Sequence, residues 1–303
     1  MAGSSGSELS MEESLDLLKT TASNLPRDLA YIGLMVGLLF VARFFKDLLT
    51  PYKLQEELTT KDNLAVGLSV GGYYLGVLIV CIGPLKTPPP ETTLEPVLWK
   101  DLLVTGGYVL LGIVLLNLAR IIVDKVLLRR FSTVKEIVQD ANSGTGAVEG
   151  GAYVASGLVV AAALSGRGGG PHTTIAFVLL GMLGLVAYGH IYMLVCRYDV
   201  HDEIEKDNVA AGVALGLNLV AIGVILVGAI GGDFRSWAYD LTRFGAFWFL
   251  GMLLLLLLRF LVDFALLPGA RMDKEIKEDR NLNAAWIEGA VLSGIAVLLV
   301  TIL

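Results

Sequence analysis

The sequence predicts an all-α integral membrane protein: eight transmembrane helices in two parallel four-helix repeats, each made of two helical hairpins. Three observations predict it. The set AVILMFWYC supplies 55% of the 303 residues and only 17% are charged, against roughly a quarter charged in ordinary globular proteins. Too little polar surface remains to solvate a body of this size. Charge-free runs long enough to cross a bilayer recur along the chain, and its motifs repeat at fixed offsets. The formal charge of −6, from 23 basic and 29 acidic side chains, offers no footprint for nucleic acid, so the expected surroundings are the lipid bilayer.

A hydrocarbon core about 30 Å thick takes about 20 apolar residues at 1.5 Å each. That length criterion places spans at approximately 29–49, 63–85, 101–128, 143–164, 173–196, 208–230, 241–267 and 282–303. The second, fifth and sixth contain no Asp, Glu, Lys or Arg between Leu64 and Leu85, Thr173 and Cys196, and Val209 and Gly232. The third and seventh exceed the core thickness and are expected to tilt or project. Residues 1–28 read as a polar leader, in which Met11, Leu15, Leu18 and Ala22 at helical spacing suit either a short amphipathic helix or a solvated segment. No basic n-region with an apolar core opens the chain.

Orientation follows from Lys and Arg, which favour the cytoplasmic side. Connections 43–63, 120–142, 197–208 and 259–281 hold 4, 5, 2 and 5 of the 23 basic residues, 16 together, leaving 7 elsewhere. The charged connections are therefore expected in the cytoplasm and both termini outside. Trp99, Tyr108, Trp237 and Tyr239 fall where an outer aromatic belt belongs. Cys81 and Cys196 lie near opposite ends of their spans, too far apart to pair. Two cysteines and three histidines so placed suggest no metal site, and no cofactor motif is evident.

Internal repetition is the richest signal. Lys61, Asp62 and Asn63 recur 145 positions later as Lys206, Asp207 and Asn208. Arg120, Asp124, Asn142, Glu149 and Gly150 recur at a constant 139 as Arg259, Asp263, Asn281, Glu288 and Gly289. The units are 29–164 and 173–303, joined by a Gly-rich linker at 165–172. Each unit divides again, because every even-numbered span opens on an Asn with small residues four and eight places on. The sets are Asn63, Gly67, Gly71; Asn142, Gly146, Gly150; Asn208, Gly212, Gly216; and Asn281, Ala285, Gly289.

The segments "KDNLAVGLSVGG", "DANSGTGAVEGG", "EKDNVAAGVALG" and "DRNLNAAWIEGA" resemble the bacterial inner-membrane family called domain of unknown function 350. Its small members, such as the YjfL-type proteins, carry one four-helix unit, and the resemblance here covers two tandem copies. It implies location in the inner membrane, in multiple passes, and no assigned biochemical activity. The family's occurrence beside envelope-stress and membrane-remodelling components implies a role there only by association.

Small residues at fourfold spacing let helix backbones approach closely, which drives packing in lipid. The even helices are thus expected to form a tight inner layer through the eight small residues named above. The four Asn side chains suit helix capping, with convergence on a pseudo-twofold axis as the alternative. Glu149 and Glu288 lie roughly 10 Å into the membrane at 1.5 Å per residue. Intramembrane carboxylates hydrogen-bond within a bundle or mark an ion or proton path; on a shared axis the two would approach each other. Arg120 with Asp124 and Arg259 with Asp263 are i,i+4 pairs read as interface anchors with snorkelling stems. His190, alone on its span, reads as scaffold.

No Ser/His/Asp, Cys/His or metal-ligand constellation suggests an enzyme. The leading expectation is a non-catalytic membrane scaffold recruiting a cytoplasmic envelope-stress or remodelling partner through its charged loops. The alternative is a small-ion or proton channel or carrier using Glu149 and Glu288 with the four Asn residues. Self-association stays open.

Overall fold

A computed structural model describes residues 11–86, 98–266 and 271–302 of the chain. The first ten residues of the leader and the expected span ends at 267 and 303 lie outside the described residues. Among the described residues, eight helices are long and apolar enough to cross a membrane. They are α1 (Met11–Leu49), α3 (Leu64–Leu85), α4 (Leu98–Ile122), α6 (Ser143–Leu164), α7 (Pro171–Val195), α9 (Val209–Ile230), α10 (Trp237–Leu266) and α12 (Leu282–Ile302). Four six-residue helices stand in the charged connections: α2 (Leu54–Thr59), α5 (Thr133–Val138), α8 (Val200–Glu205) and α11 (Met272–Lys277). These short helices escape the hydropathy reading because they are too short and too charged to register as spans.

Local structure sets two of the span ends. The leader is continuous with the first span in one 39-residue helix carrying Pro26 inside it. Beyond Ile122, α4 loosens into a π-helical turn at Val123–Leu127, which ends the third span close to the expected place.

The spanning helices form two layers. The inner layer is a row in the order α3, α6, α9, α12, each packed on the next, and α1, α4, α7 and α10 lie against it. Burial follows position in the row: 67% and 72% of the most apolar stretch of α6 and α9 is buried, against 50% and 28% for α3 and α12 at the ends. A row explains why the sequence repeats at the level of the hairpin, because every hairpin repeats the same contact with its predecessor.

That contact needs small residues. A Cβ at Gly146 would overlap the Ala65 backbone of α3, and one at Gly150 would sit 2.6 Å from the Leu68 carbonyl. One helix on, Gly212 meets the Gly144 backbone and Gly216 lies against Ala147, whose carbonyl would be 2.7 Å from an added Cβ. On α12, Ala285 is fully buried and Gly289 packs on the Leu217 side chain of α9. In each case the fourth and eighth residues after the Asn face the preceding helix. Gly67 and Gly71 depart from the expected close packing: a Cβ at either would meet nothing within 4 Å. The reason is position, since α3 heads the row and no earlier helix covers that face.

Candidate functional site

Each inner helix starts on one structural motif. Asn63 Oδ1 accepts from the Ala65 and Val66 amides, Asn142 from Thr145, Asn208 from Ala211, and Asn281 from Asn283 and Ala284. These bonds satisfy amides that a helix start leaves free. The residue before each Asn takes a left-handed turn, with φ of 50° at Asp62, 49° at Ala141, 57° at Asp207 and 47° at Arg280. The Asn amide nitrogen then donates to a glutamate of the short helix before it: Glu57 at 3.2 Å, Glu136 at 3.0 Å, Glu203 at 3.1 Å and Glu275 at 2.8 Å.

The same amide also stitches one hairpin to the next. Asn63 donates to the Ile137 carbonyl of α5 at 2.9 Å, Asn142 to Ile204 of α8 at 2.6 Å, and Asn208 to Ile276 of α11 at 2.8 Å. The four Asn residues therefore hold the short helices along one end of the molecule. They do not converge on an axis, because in a row Asn63, Asn142 and Asn208 each face the next repeat. Ion pairs with at least one exposed member decorate this end. Lys61 approaches Glu57 at 2.6 Å and Arg130 approaches Asp199 at 2.5 Å. The Arg130 hydrogen bond holds the Asp199 carboxyl below its ordinary range.

Below the caps lie two buried ionic clusters, one in each four-helix unit. In the first, Arg120 Nε of α4 donates to Glu149 Oε1 of α6 at 2.6 Å, and Ser69 of α3 donates to Glu149 Oε2. Asp124 stands 3.4 Å from the same Arg120 Nε. Lys46 of α1 is fully buried. Its ammonium donates to the Tyr153 hydroxyl at 2.7 Å and lies over the Tyr153 and Tyr73 rings, 4.5 and 5.2 Å from their centroids. Two cations thus face two carboxylates, which keeps a desolvated cluster close to neutral. The space between Arg120, Asp124, Glu149, Tyr153 and Ser156 is too tight to admit water.

The second cluster uses the repeated arginine and glutamate with different neighbours. Arg259 Nε of α10 donates to Glu288 Oε1 of α12 at 2.8 Å, and the same oxygen accepts from Asn218 of α9 at 3.2 Å. Tyr192 lies under the Arg259 guanidinium at 5.0 Å. Glu288 is fully buried, and its second oxygen has no hydrogen-bond partner among the described residues. The counterpart of Ser69, six residues after the cap, is Ala214, which has no hydroxyl to offer.

Three expectations need correction. Glu149 and Glu288 have separate partner sets on separate helices, with α9 between α6 and α12 in the row. They share no site, because the repeats stand side by side. Arg259 and Asp263 do not pair: Arg259 turns to Glu288 and, at 2.8 Å, to Asp273, while Asp263 accepts from the Met272 amide at 2.6 Å. Arg120 does lie near Asp124, but the Arg120 and Arg259 side chains are only 14% and 6% exposed. Both enter the interior to meet a glutamate and do not snorkel to the interface. His190 Nδ1 donates to the Val186 carbonyl of its own helix at 2.9 Å.

A cavity of about 670 Å³ opens at the end opposite the short helices, lined in part by Arg27, Asp101, Ser165, Gly170, Thr173 and Asp240. Neither glutamate lines it. Sequence reasoning missed Lys46, Ser69, Tyr153, Asn218 and Asp273, as well as the four glutamates that hold the Asn caps. Those glutamates had a legible signal, a spacing of 6, 6, 5 and 6 residues before each Asn.

Comparison with known proteins agrees with this duplicated architecture. A transmembrane protein of Aquifex aeolicus (strain VF5), described as a UPF0719 transmembrane protein, is 26% identical over 242 residues, spanning 78% of this chain and 85% of its own length. No solved structure matches the chain. The family described as Domain of Unknown Function (DUF350) matches twice, over residues 20–164 and 169–303. Each match contains one complete Arg–Glu cluster and two Asn-capped inner helices, and the chain belongs to this family, in two tandem copies.

Proposed function

We propose that the protein is a non-catalytic membrane scaffold that presents a repeated charged surface to a cytoplasmic protein partner. One observation carries this reading: the four short helices stand along one end of the row, each held by the same Asn–Glu clamp. Their outward side chains, among them Glu56, Lys135, Asp202 and Lys274, are exposed. Sixteen of the 23 basic residues lie in these connections or in the adjoining ends of the spanning helices, which favours the cytoplasm for this end. Association of the family with envelope-stress and membrane-remodelling components suggests the kind of partner.

The ionic clusters weigh against the channel or carrier reading. Each glutamate is neutralised by its own arginine and is itself buried. A photo-crosslinking residue placed at Glu56, Lys135, Asp202 or Lys274 in cells tests the scaffold. The expected result is one discrete protein adduct from several of the four sites, lost on reversing the neighbouring charges while the protein still folds. Absence of any adduct from all four sites would contradict the proposal.

A further inference from the structure

We propose that the inner row continues between molecules, with the α12 end of one chain docking head to tail on the α3 end of a second copy. The interface already exists three times within the chain, at α3 with α6, α6 with α9 and α9 with α12. In each, the later helix presents positions four and eight after its Asn to the earlier helix. The earlier helix receives them on positions two, five and nine at α3 with α6 and at α6 with α9, and on position nine, Leu217, at α9 with α12. Gly146 meets Ala65, Gly150 meets Leu68 and Gly72, and Gly212 meets Gly144.

The two ends of the row carry the unmatched halves of this contact. On α3 the donor face, Gly67 and Gly71, is open, with nothing within 4 Å of a Cβ at either. On α12 the receiving positions are Asn283, Trp286 and Ala290, all exposed. Further along α12, Gly294 occupies the place that Gly76 holds on α3, where Gly157 of α6 packs. Gly294 likewise has nothing within 4 Å of a Cβ. Trp286 stands where the inner interfaces carry Leu68, Ala147 and Val213, and the open Gly67–Gly71 groove gives its larger ring room.

The caps add an independent mark of incompleteness. Asn63, Asn142 and Asn208 each donate to a carbonyl of the following short helix, whereas among the described residues Asn281 donates to Glu275 alone. By its distance from the cap, the carbonyl that would complete Asn281 is that of Leu58 on α2 of the next molecule. Such a contact joins unlike faces and is heterologous. Repeated in the membrane plane it makes a ring if the rotation closes and a filament if it does not. Close helix approach through Gly-xxx-Gly supplies the packing in lipid. This inference does not depend on the scaffold reading.

Disulfide trapping in native membranes tests it, in a background without Cys81 and Cys196. Gly71→Cys and Ala290→Cys are made singly and together. Co-expressed single variants are expected to give one covalent dimer, and the double variant a ladder of dimers, trimers and larger species. Adding Gly67→Leu to the double variant is expected to abolish the ladder and leave the unfolding temperature unchanged, because the single chain has space at that position. Dimers from either single variant alone would show a two-fold contact between like faces and overturn the proposal. No cross-link, or a ladder that survives Gly67→Leu, would overturn it as well.

Discussion

Among individual residues, the two buried glutamates show how a duplicated sequence holds unequal partners. Glu149 has a donor for each oxygen, Arg120 for one and Ser69 for the other. Glu288 has Arg259, Asn218 and, at 3.5 Å, the Tyr192 hydroxyl on one oxygen, and no donor among the described residues on the other. A buried carboxylate oxygen without a donor carries the full desolvation cost. Ala214→Ser places a hydroxyl at the position equivalent to Ser69 and is expected to stabilise the protein by about 1 to 2 kcal/mol, read as a raised thermal unfolding midpoint in detergent. No stabilisation would mean that the two units pack differently around their glutamates. The glutamates themselves were legible in the sequence, since a carboxyl seven residues inside a span and repeated at 139 stands out. Their partners were less so. Arg120 and Arg259 read as anchors because a charge near a span end usually reaches for the interface, and Lys46 was counted with a loop although it is fully buried.

Across elements, the short helix, the left-handed turn and the Asn-capped helix form one unit used four times. Its capped half was visible as Asn with small residues at fourfold spacing. Its first half was not, because six-residue helices in charged connections leave no hydropathy signal. All four Asn residues cap a helix and hold a glutamate of the preceding short helix, and Asn63, Asn142 and Asn208 also link to the next hairpin. Asn142→Ala is expected to cost about 2 kcal/mol, roughly half from the cap and half from the lost bond to Ile204. Asn281→Ala is expected to cost about 1 kcal/mol. Chemical unfolding in detergent, below the concentration at which molecules associate, compares the two; equal losses would argue against a structural role for the inter-repeat bond.

For the molecule as a whole, the eight spans and their two parallel units follow from composition and repeat offsets. The row does not. Parallel repeats are compatible with a closed pseudo-twofold bundle or with a side-by-side array, and the offsets are the same for both. What separates them is which face of each inner helix is covered, and glycine spacing marks a face without naming its partner. Gly67 and Gly71 show this: they match the motif as well as Gly146 and Gly150 do, yet only the latter pair is packed.

The row removes the shared axis on which the two carboxylates would meet, and we propose that Glu149 and Glu288 hold helices together and conduct nothing. Proton and cation flux into proteoliposomes, measured for the natural protein and for Glu149→Gln combined with Glu288→Gln, tests this most directly. No flux above that of empty liposomes is predicted for either. The double variant is expected to lose roughly 3 to 5 kcal/mol for each arginine left buried without its counter-charge. Flux through the natural protein that disappears in an equally stable double variant would contradict the account.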